Sequence, residues 1–395
     1  MPYRLKRQML QGLSLVCAVA FLVFSAQNAT CATSPQSITI TDALGRSIEI
    51  RMPVKKVVAM NSDVVEMMRA MNAEDRLTGV FSEIVRERKF WGSLADKPKV
   101  GSWREADMEA LAKIRPDLVI AYERNPGPEL EKRLKPMGIQ VLRLNFYKLK
   151  TMNREIRDLG RILGVEARAA ELCAWYGGYF DLIEKRLKTV KKIPSVYVES
   201  YSDYHAAGPG SGGAEMCVMA GGRNLASEFS IAYPEVNPEW VVTRNPAIII
   251  KAASWTNGYE KNGAEYLNQV KRKIMSRPAW AGISAVKSGR VHVMDSSIWT
   301  GPRAVVGVCH LARFFHPDLF KDINPESVHR EYIERFQKIP FGGVFFSSLS
   351  EMPVFLNGYG KDVLSVLSQS HLSRFLKSGP PEGPPEAGLP IGTYL

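Results

Sequence analysis

The sequence predicts an α/β protein of two similar lobes, each with a mostly parallel sheet, joined by one long helix. Three observations predict it: a repeated helix-to-strand unit, apolar strands alternating with helical segments, and a proline-free stretch at mid-chain. The repeat is the sharpest. Asp107-Met108-Glu109-Ala110-Leu111 leads to Arg115-Pro116-Asp117-Leu118-Val119-Ile120, and 130 positions later Asn237-Pro238-Glu239-Trp240-Val241 leads to Asn245-Pro246-Ala247-Ile248-Ile249-Ile250. In each copy Asp or Asn caps a helix, Glu sits in the first turn where the helix dipole favours a carboxylate, and Pro ends the helix. The apolar run that follows reads as a buried strand of a parallel sheet. A chain of two such lobes places its ligand in the cleft between them.

The chain opens with Arg4, Lys6 and Arg7 ahead of an uncharged, mostly apolar stretch over residues 9–26 and then small and polar residues. This is the layout of a secretory signal over residues 1–32, with Thr30 and Ala32 at the small-residue positions of the cut. A membrane anchor is the competing reading, and Cys31 as a lipid-modified N-terminus is the weaker one, because Asn28-Ala29-Thr30 is a poor lead-in for it. The expected location is the periplasm or the extracytoplasmic face. Losing the leader's three positive charges lowers the formal charge from +12 to +9. The basic residues are dispersed, so nucleic acid is not an expected partner. Cys173, Cys217 and Cys309 lie in helical apolar settings and read as buried free thiols.

The first lobe, residues 33–150, begins with a hairpin, Ile38-Thr39-Ile40-Thr41 and Ser47-Ile48-Glu49-Ile50 around a turn containing Gly45. Lys56-Val57-Val58-Ala59-Met60 is a strand, and Val64 opens a helix capped by Ser62 or Asp63. Thr78-Gly79-Val80, Lys99-Val100-Gly101, Leu118-Val119-Ile120 and Ile139-Gln140-Val141-Leu142-Arg143-Leu144 are further strands. Residues 151–190 carry apolar side chains at helical spacing, among them Ile156, Leu159, Leu163, Leu172, Trp175, Phe180, Ile183 and Leu187. They read as the connecting helix, bent or interrupted near Gly160-Gly164 or Gly177-Gly178, and a rigid connector of this kind limits lobe closure. The second lobe, residues 191–346, runs from the strand Ser195-Val196-Tyr197-Val198-Glu199 through the repeat to the strand Arg290-Val291-His292-Val293-Met294 and a helix over 303–315. Residues 347–395 form an extension ending in Ser378-Gly379-Pro380-Pro381-Glu382-Gly383-Pro384-Pro385, disordered by composition.

The order of Lys56-Val57-Val58-Ala59-Met60-Asn61, Val100-Gly101-Ser102-Trp103, the first repeat, the connector, Gly212-Gly213, Gly221-Gly222-Arg223-Asn224, the second repeat, Arg277-Pro278-Ala279-Trp280 and Gly289-Arg290-Val291-His292-Val293 resembles class III substrate-binding proteins of ABC importers. The resemblance covers residues 38–346. It implies two Rossmann-like lobes joined by a single long α-helix, a monomer that carries a metal complex between the lobes and delivers it to the transmembrane subunits of an ABC permease. It also implies that Glu109 and Glu239 are presented to arginines of that permease, while each glutamate serves its own helix through the dipole by about 0.3–1 kcal/mol.

Ligand contacts in such folds come from the loops at strand ends. In the first lobe these are Asn61-Ser62-Asp63, Trp103-Arg104 and Tyr122-Glu123-Arg124; in the second, Tyr201 to His205 with Tyr204, Ser211 in its glycine-rich turn, Trp255, and Trp299 to Arg303. The resemblance aligns Trp103, Tyr122, Trp299 and Arg303 with cleft positions of cobalamin carriers. Aromatic faces suit a large flat ligand, and Arg offers a fork to carboxylate or phosphate. Arg104, Arg124 and Arg303 together favour an anion. The expected cargo is a ferric siderophore-like chelate, with haem, cobalamin, and molybdate or tungstate as alternatives, the last held by hydroxyls and amides at Ser211-Gly212-Gly213. His205 is the candidate axial ligand. A metal held by protein alone is not expected, because the first lobe has no His. Neither a Gly-x-Ser-x-Gly elbow nor a His-Glu-x-x-His motif is present, and the glycine-rich turn lacks the Lys-Ser/Thr of a nucleotide loop, so the chain does not read as an enzyme. An interaction protein without a ligand is the rival from another class.

Overall fold

The computed structural model describes residues 37–253 and 263–347. Two parallel four-stranded sheets form its frame, and they have the same topology. The first comprises β3 (Val57–Ala59), β4 (Leu77–Val80), β5 (Leu118–Ala121) and β6 (Gln140–Arg143) in the order β4-β3-β5-β6. The second comprises β7 (Ser195–Glu199), β8 (Arg223–Asn224), β9 (Ile248–Ala253) and β10 (Val291–Asp295) in the order β10-β9-β7-β8. In both, the first strand lies inside, the second goes to one side of it and the third and fourth to the other. The central strands are buried except at Ser195, which is why they read as apolar runs rather than as alternating ones. The hairpin of β1 (Ser37–Thr41) and β2 (Ser47–Arg51) is antiparallel and leans on the first sheet, where Gln140 donates to the Glu49 carbonyl.

The repeated unit folds as its capping residues dictate. The helix α1 (Ser62–Ala70) follows β3, and the helix α2 (Met108–Ile114) crosses from β4 to β5. Asp107 caps α2 by accepting from the amides of Glu109 and Ala110, both at 3.0 Å, and the helix ends at Arg115 in the left-handed region (φ 48°) just before Pro116. The connector is helical but interrupted at Gly164 (φ 64°), giving α3 (Leu149–Leu163) and α4 (Glu166–Leu187) rather than one helix; Gly177 and Gly178 leave α4 unbroken. α4 runs between the lobes. It is about 33 Å long, with Arg168 near its start donating to the Ala70 carbonyl of α1 and Arg186 near its end paired with Asp322 at 2.6 Å.

In the second lobe α5 (Pro238–Arg244) repeats α2: Asn237 accepts from the Glu239 amide at 2.8 Å, and Asn245 ends the helix with φ 43° before Pro246. Two further expectations are corrected. The cap of α1 is Asn61, not Ser62 or Asp63, because its side chain reaches the Val64 amide. Lys99 and Gly101 make only isolated bridges rather than a strand, since the chain turns at once into the cap of α2. The second half also returns to the first lobe: after α6 (Pro325–Glu331), Gln337 accepts from Arg69 of α1 at 2.6 Å and donates to the Glu66 carbonyl. Among the described residues no helix is long and apolar enough to cross a membrane, and Cys173, Cys217 and Cys309 are buried and unpaired.

Candidate functional site

In parallel sheets of this order, loops at the carboxyl ends diverge where the strand order reverses, leaving a crevice. The protein has a cavity of about 440 Å³ there, lined from both lobes. The loops after β3, β4, β5 and β6 bring Asn61 to Asp63, Phe81 with Glu87, Tyr122 with Arg124, and Tyr147; the loop after β7 brings Tyr201, and the segment after β10 brings Ser297, Thr300 and Arg303. Glu109 and Glu239 lie exposed in the first turns of α2 and α5.

The start of α1 forms the floor. Asn61 is 1% exposed; its carbonyl oxygen is used by the cap, and its Nδ2 has no hydrogen-bond partner. Asp63 is buried beside it, accepting from Ser62 Oγ at 3.3 Å. Burial pushes the Asp63 carboxyl up to about 7, against a hydrogen bond from Tyr122, and burial and the neighbouring Asp63 push the Tyr122 hydroxyl well above its ordinary range. Burial also raises Glu87.

Arg303 lines the cavity but its fork is turned inward. Its Nε lies 3.1 Å from Glu66 Oε1 and its Nη2 3.3 Å from Oε2, both side chains being buried. The guanidinium also sits 4.4 Å from the centre of the Phe90 ring, which carries Arg69 at the same distance. The expected fork for an anionic ligand is thus a tie between the lobes. Arg124 is exposed, 3.7 Å from Glu123.

Aromatic rings form the walls. Trp103, Tyr122 and Tyr147 meet edge to face, with centroids 6.3 Å and 5.6 Å apart; the second lobe offers Tyr201 and Tyr233, 41% and 45% exposed. These two ride on loops that need support. Beneath Tyr201, the buried Lys251 donates to the carbonyls of Ser200, Tyr201 and Ser202 at 2.6, 3.1 and 3.0 Å. Lys251 and Arg277 both hold Glu199, at 3.0 Å and 2.7 Å. Burial alone would raise the Glu199 carboxyl, but Arg277 and Lys251 outweigh it and hold it below its ordinary range. Tyr233 is carried by a short ladder, Ala206 to Pro234 at 2.9 Å and Gly208 to Ala232 at 2.8 Å. Gly208 is required there, because a Cβ would stand 2.3 Å from the Ile231 carbonyl.

Of the residues expected in the cleft, Asn61, Ser62, Trp103, Tyr122, Arg124, Tyr201 and Arg303 line the cavity. Five do not. Arg104 lies over the Trp103 ring at 4.6 Å, on the exposed surface. Tyr204 packs on Trp280 and under Arg277, centroid to guanidinium 4.3 Å. His205, the candidate axial ligand, is not among the lining residues and turns its Nδ1 to the Asp203 carbonyl at 3.0 Å. Ser211 is buried as a helix cap, its Oγ donating to the Gly208 carbonyl and accepting from the Ala214 amide. Trp299 is 1% exposed in the core. Trp255 lies outside the described residues, as do the leader with Cys31 and the proline-rich tail. Asp63, expected on the same loop as Asn61, lines the cavity too, while Glu87, Tyr147 and Tyr233 are contacts the sequence does not single out. Tyr147 follows the end of β6 and is found by the same strand-end rule; Tyr233 has no local signal. Among the described residues no group of His, Cys, Asp and Glu could hold a metal ion.

Two lobes of equal topology around a cleft at their strand ends define a binding protein of the two-lobed α/β type. Residues 57–298 match the periplasmic binding protein family, and the chain belongs to it as a substrate-binding protein of an ABC importer. It is 27% identical over 294 residues to an uncharacterized ABC transporter substrate-binding lipoprotein of Bacillus subtilis, covering 72% of this chain and 87% of that protein. Two solved structures share the fold. The TroA-like periplasmic binding protein FepB of Veillonella parvula has a TM-score of 0.65 at 22% identity, over 78% of this chain and 99% of that one. The molybdate-binding protein MolA of Haemophilus influenzae has a TM-score of 0.64 at 20% identity, over 78% and 100%.

Proposed function

We propose that the protein captures a metal complex outside the cytoplasm, a ferric siderophore-like chelate, and hands it to its permease. The observation that carries this is the cavity itself: about 440 Å³, walled by aromatic rings from both lobes. That is far more room than a tetrahedral oxyanion fills, and the groups expected for an oxyanion are committed elsewhere, Ser211 to its cap and Arg303 to Glu66. Aromatic faces instead suit an extended ligand, whose two sides would be covered when the lobes close. The leader at residues 1–32 accounts for export.

Binding is read by titrating purified protein with ferric chelates while following tryptophan fluorescence, alongside metal analysis and visible spectra of protein taken from its native host. Trp103→Ala and Tyr122→Ala should each weaken binding about tenfold or more while leaving the circular dichroism spectrum unchanged. Unaltered affinity in both would place the ligand elsewhere. Glu109 and Glu239 would dock on the permease, one from each lobe. Reversing both charges should abolish uptake and leave ligand affinity intact; normal uptake would remove the docking role.

A further inference from the structure

We infer that the cleft selects a metal complex of net positive charge, its cationic group seated at Asp63 among the tyrosines, an assignment that rests on reading the chain as a carrier of metal complexes. The argument is an asymmetry of burial between the two signs of charge. The cavity's acidic side chains, Asp63, Glu66, Glu83 and Glu87, are buried or half-buried, whereas Arg86 and Arg124 are exposed. The remaining cation, Arg303, is held by Glu66. Coulomb interactions strengthen where water is excluded, so the buried carboxyls dominate the field felt by a ligand.

Three further features converge on the same point. Tyr122 and Ser62 bond to the Asp63 carboxyl, and Tyr147 and Tyr201 lie close enough to feel its charge. Aromatic rings around a carboxylate are a setting in which cations, not anions, are stabilised. The second feature is Asn61, a lining residue 1% exposed, whose buried Nδ2 has no hydrogen-bond partner. It is a donor waiting for an oxygen, such as the carbonyl or N–O oxygen of a hydroxamate. The third is the upward shift that burial gives Asp63 and Glu87, which a bound cation would reverse.

The test compares three ferric probes on the full chain: a linear trihydroxamate bearing a free ammonium group, an uncharged cyclic trihydroxamate, and a trianionic tris-catecholate. The ammonium-bearing complex should bind at least tenfold more tightly than the tris-catecholate. Asp63→Asn should cost the cationic probe about tenfold more than it costs the uncharged one, with Glu87→Gln acting in the same direction. The groups facing Asp63 are Ser62, Glu66, Tyr122 and Arg303, with Tyr147 and Tyr201 within reach of its charge, and burial pushes the Asp63 carboxyl up to about 7. Affinity for the cationic probe should therefore fall between pH 8 and pH 6 while that for the uncharged probe holds. A tris-catecholate that binds as tightly as the ammonium complex, or a preference that survives both substitutions, overturns the assignment while the carrier reading stands. Binding of none of the three overturns both.

Discussion

Asp63 and Glu87 of the first lobe and Glu199 and Asp203 of the second stand in opposite electrostatic positions, although the sheets of the two lobes have the same order. In the first lobe Asp63 and Glu87 face the cleft with their pKa values raised by burial. In the second, Glu199 and Asp203 are lowered: burial opposes this, but Lys251, Lys273 and Arg277 outweigh it. A buried carboxyl with its cations in place stabilises the fold, whereas one without them costs stability until something else neutralises it. The difference teaches that the second lobe's cluster is neutralised within the fold and holds its loops, whereas the first lobe's pair at the cleft lacks that neutralisation.

The largest effect should come from breaking the neutralised cluster. Glu199→Gln leaves Lys251 and Arg277 buried with only Asp203 and backbone carbonyls, and should cost about 3–5 kcal/mol in urea unfolding. A loss below about 1 kcal/mol would show the cluster to be solvated and the contrast between the lobes unfounded. Asp63→Asn should do the reverse. A carboxyl titrating near 7 in the fold and near 3.8 when unfolded binds more protons in the native state, so stability falls as pH rises through that window. The variant should gain about 2 kcal/mol at pH 8, allowing for relaxation around the site, and almost nothing at pH 4. Thermal midpoints at the two pH values measure it, and a variant less stable at pH 8 would mean that Asp63 is ionised and satisfied as it stands.

The scaffold was legible because its signals are local. A cap, a first-turn Glu and a following Pro fix α2 and α5 within a dozen residues, and strand ends point to Asn61, Tyr122 and Tyr201. What failed was long-range. Arg303 meets Glu66 across 237 positions, and no reading of either neighbourhood reveals it. Trp299 follows β10 as a cleft residue should, but Asp295 accepts from the Ser297 amide at 2.8 Å and the resulting turn sends Ile298 and Trp299 into the core. The connector breaks at Gly164, in the Gly160-Gly164 stretch where an interruption is expected, because that glycine ends α3 in the left-handed region; the alternative at Gly177-Gly178 does not occur.

Lysines beneath the two cleft walls sharpen the contrast at a smaller scale. Lys251→Met removes the donor to three successive carbonyls under Tyr201 and should cost about 1–3 kcal/mol, with ligand affinity reduced several-fold. In the first lobe Lys148 is partly exposed and bridges to Glu123 at 2.6 Å, so Lys148→Met should cost less than about 1 kcal/mol. Equal losses in the two variants, by unfolding and by titration, would mean that Tyr201 needs no support from below.

The repeated caps should give the smallest effect and the one most nearly equal between lobes. Asp107→Ala and Asn237→Ala each remove a side-chain acceptor from an exposed helix start, worth about 1 kcal/mol. Asp107 carries a charge that Asn237 lacks, and it faces the positive end of its helix dipole. The first-lobe variant should therefore lose a few tenths of a kcal/mol more at low salt, an excess that salt screens away. If the losses differ by more than that and the gap persists at high salt, the two units are not equivalent in energy despite their common geometry, and a partner gripping Glu109 and Glu239 would meet one firm helix start and one yielding one.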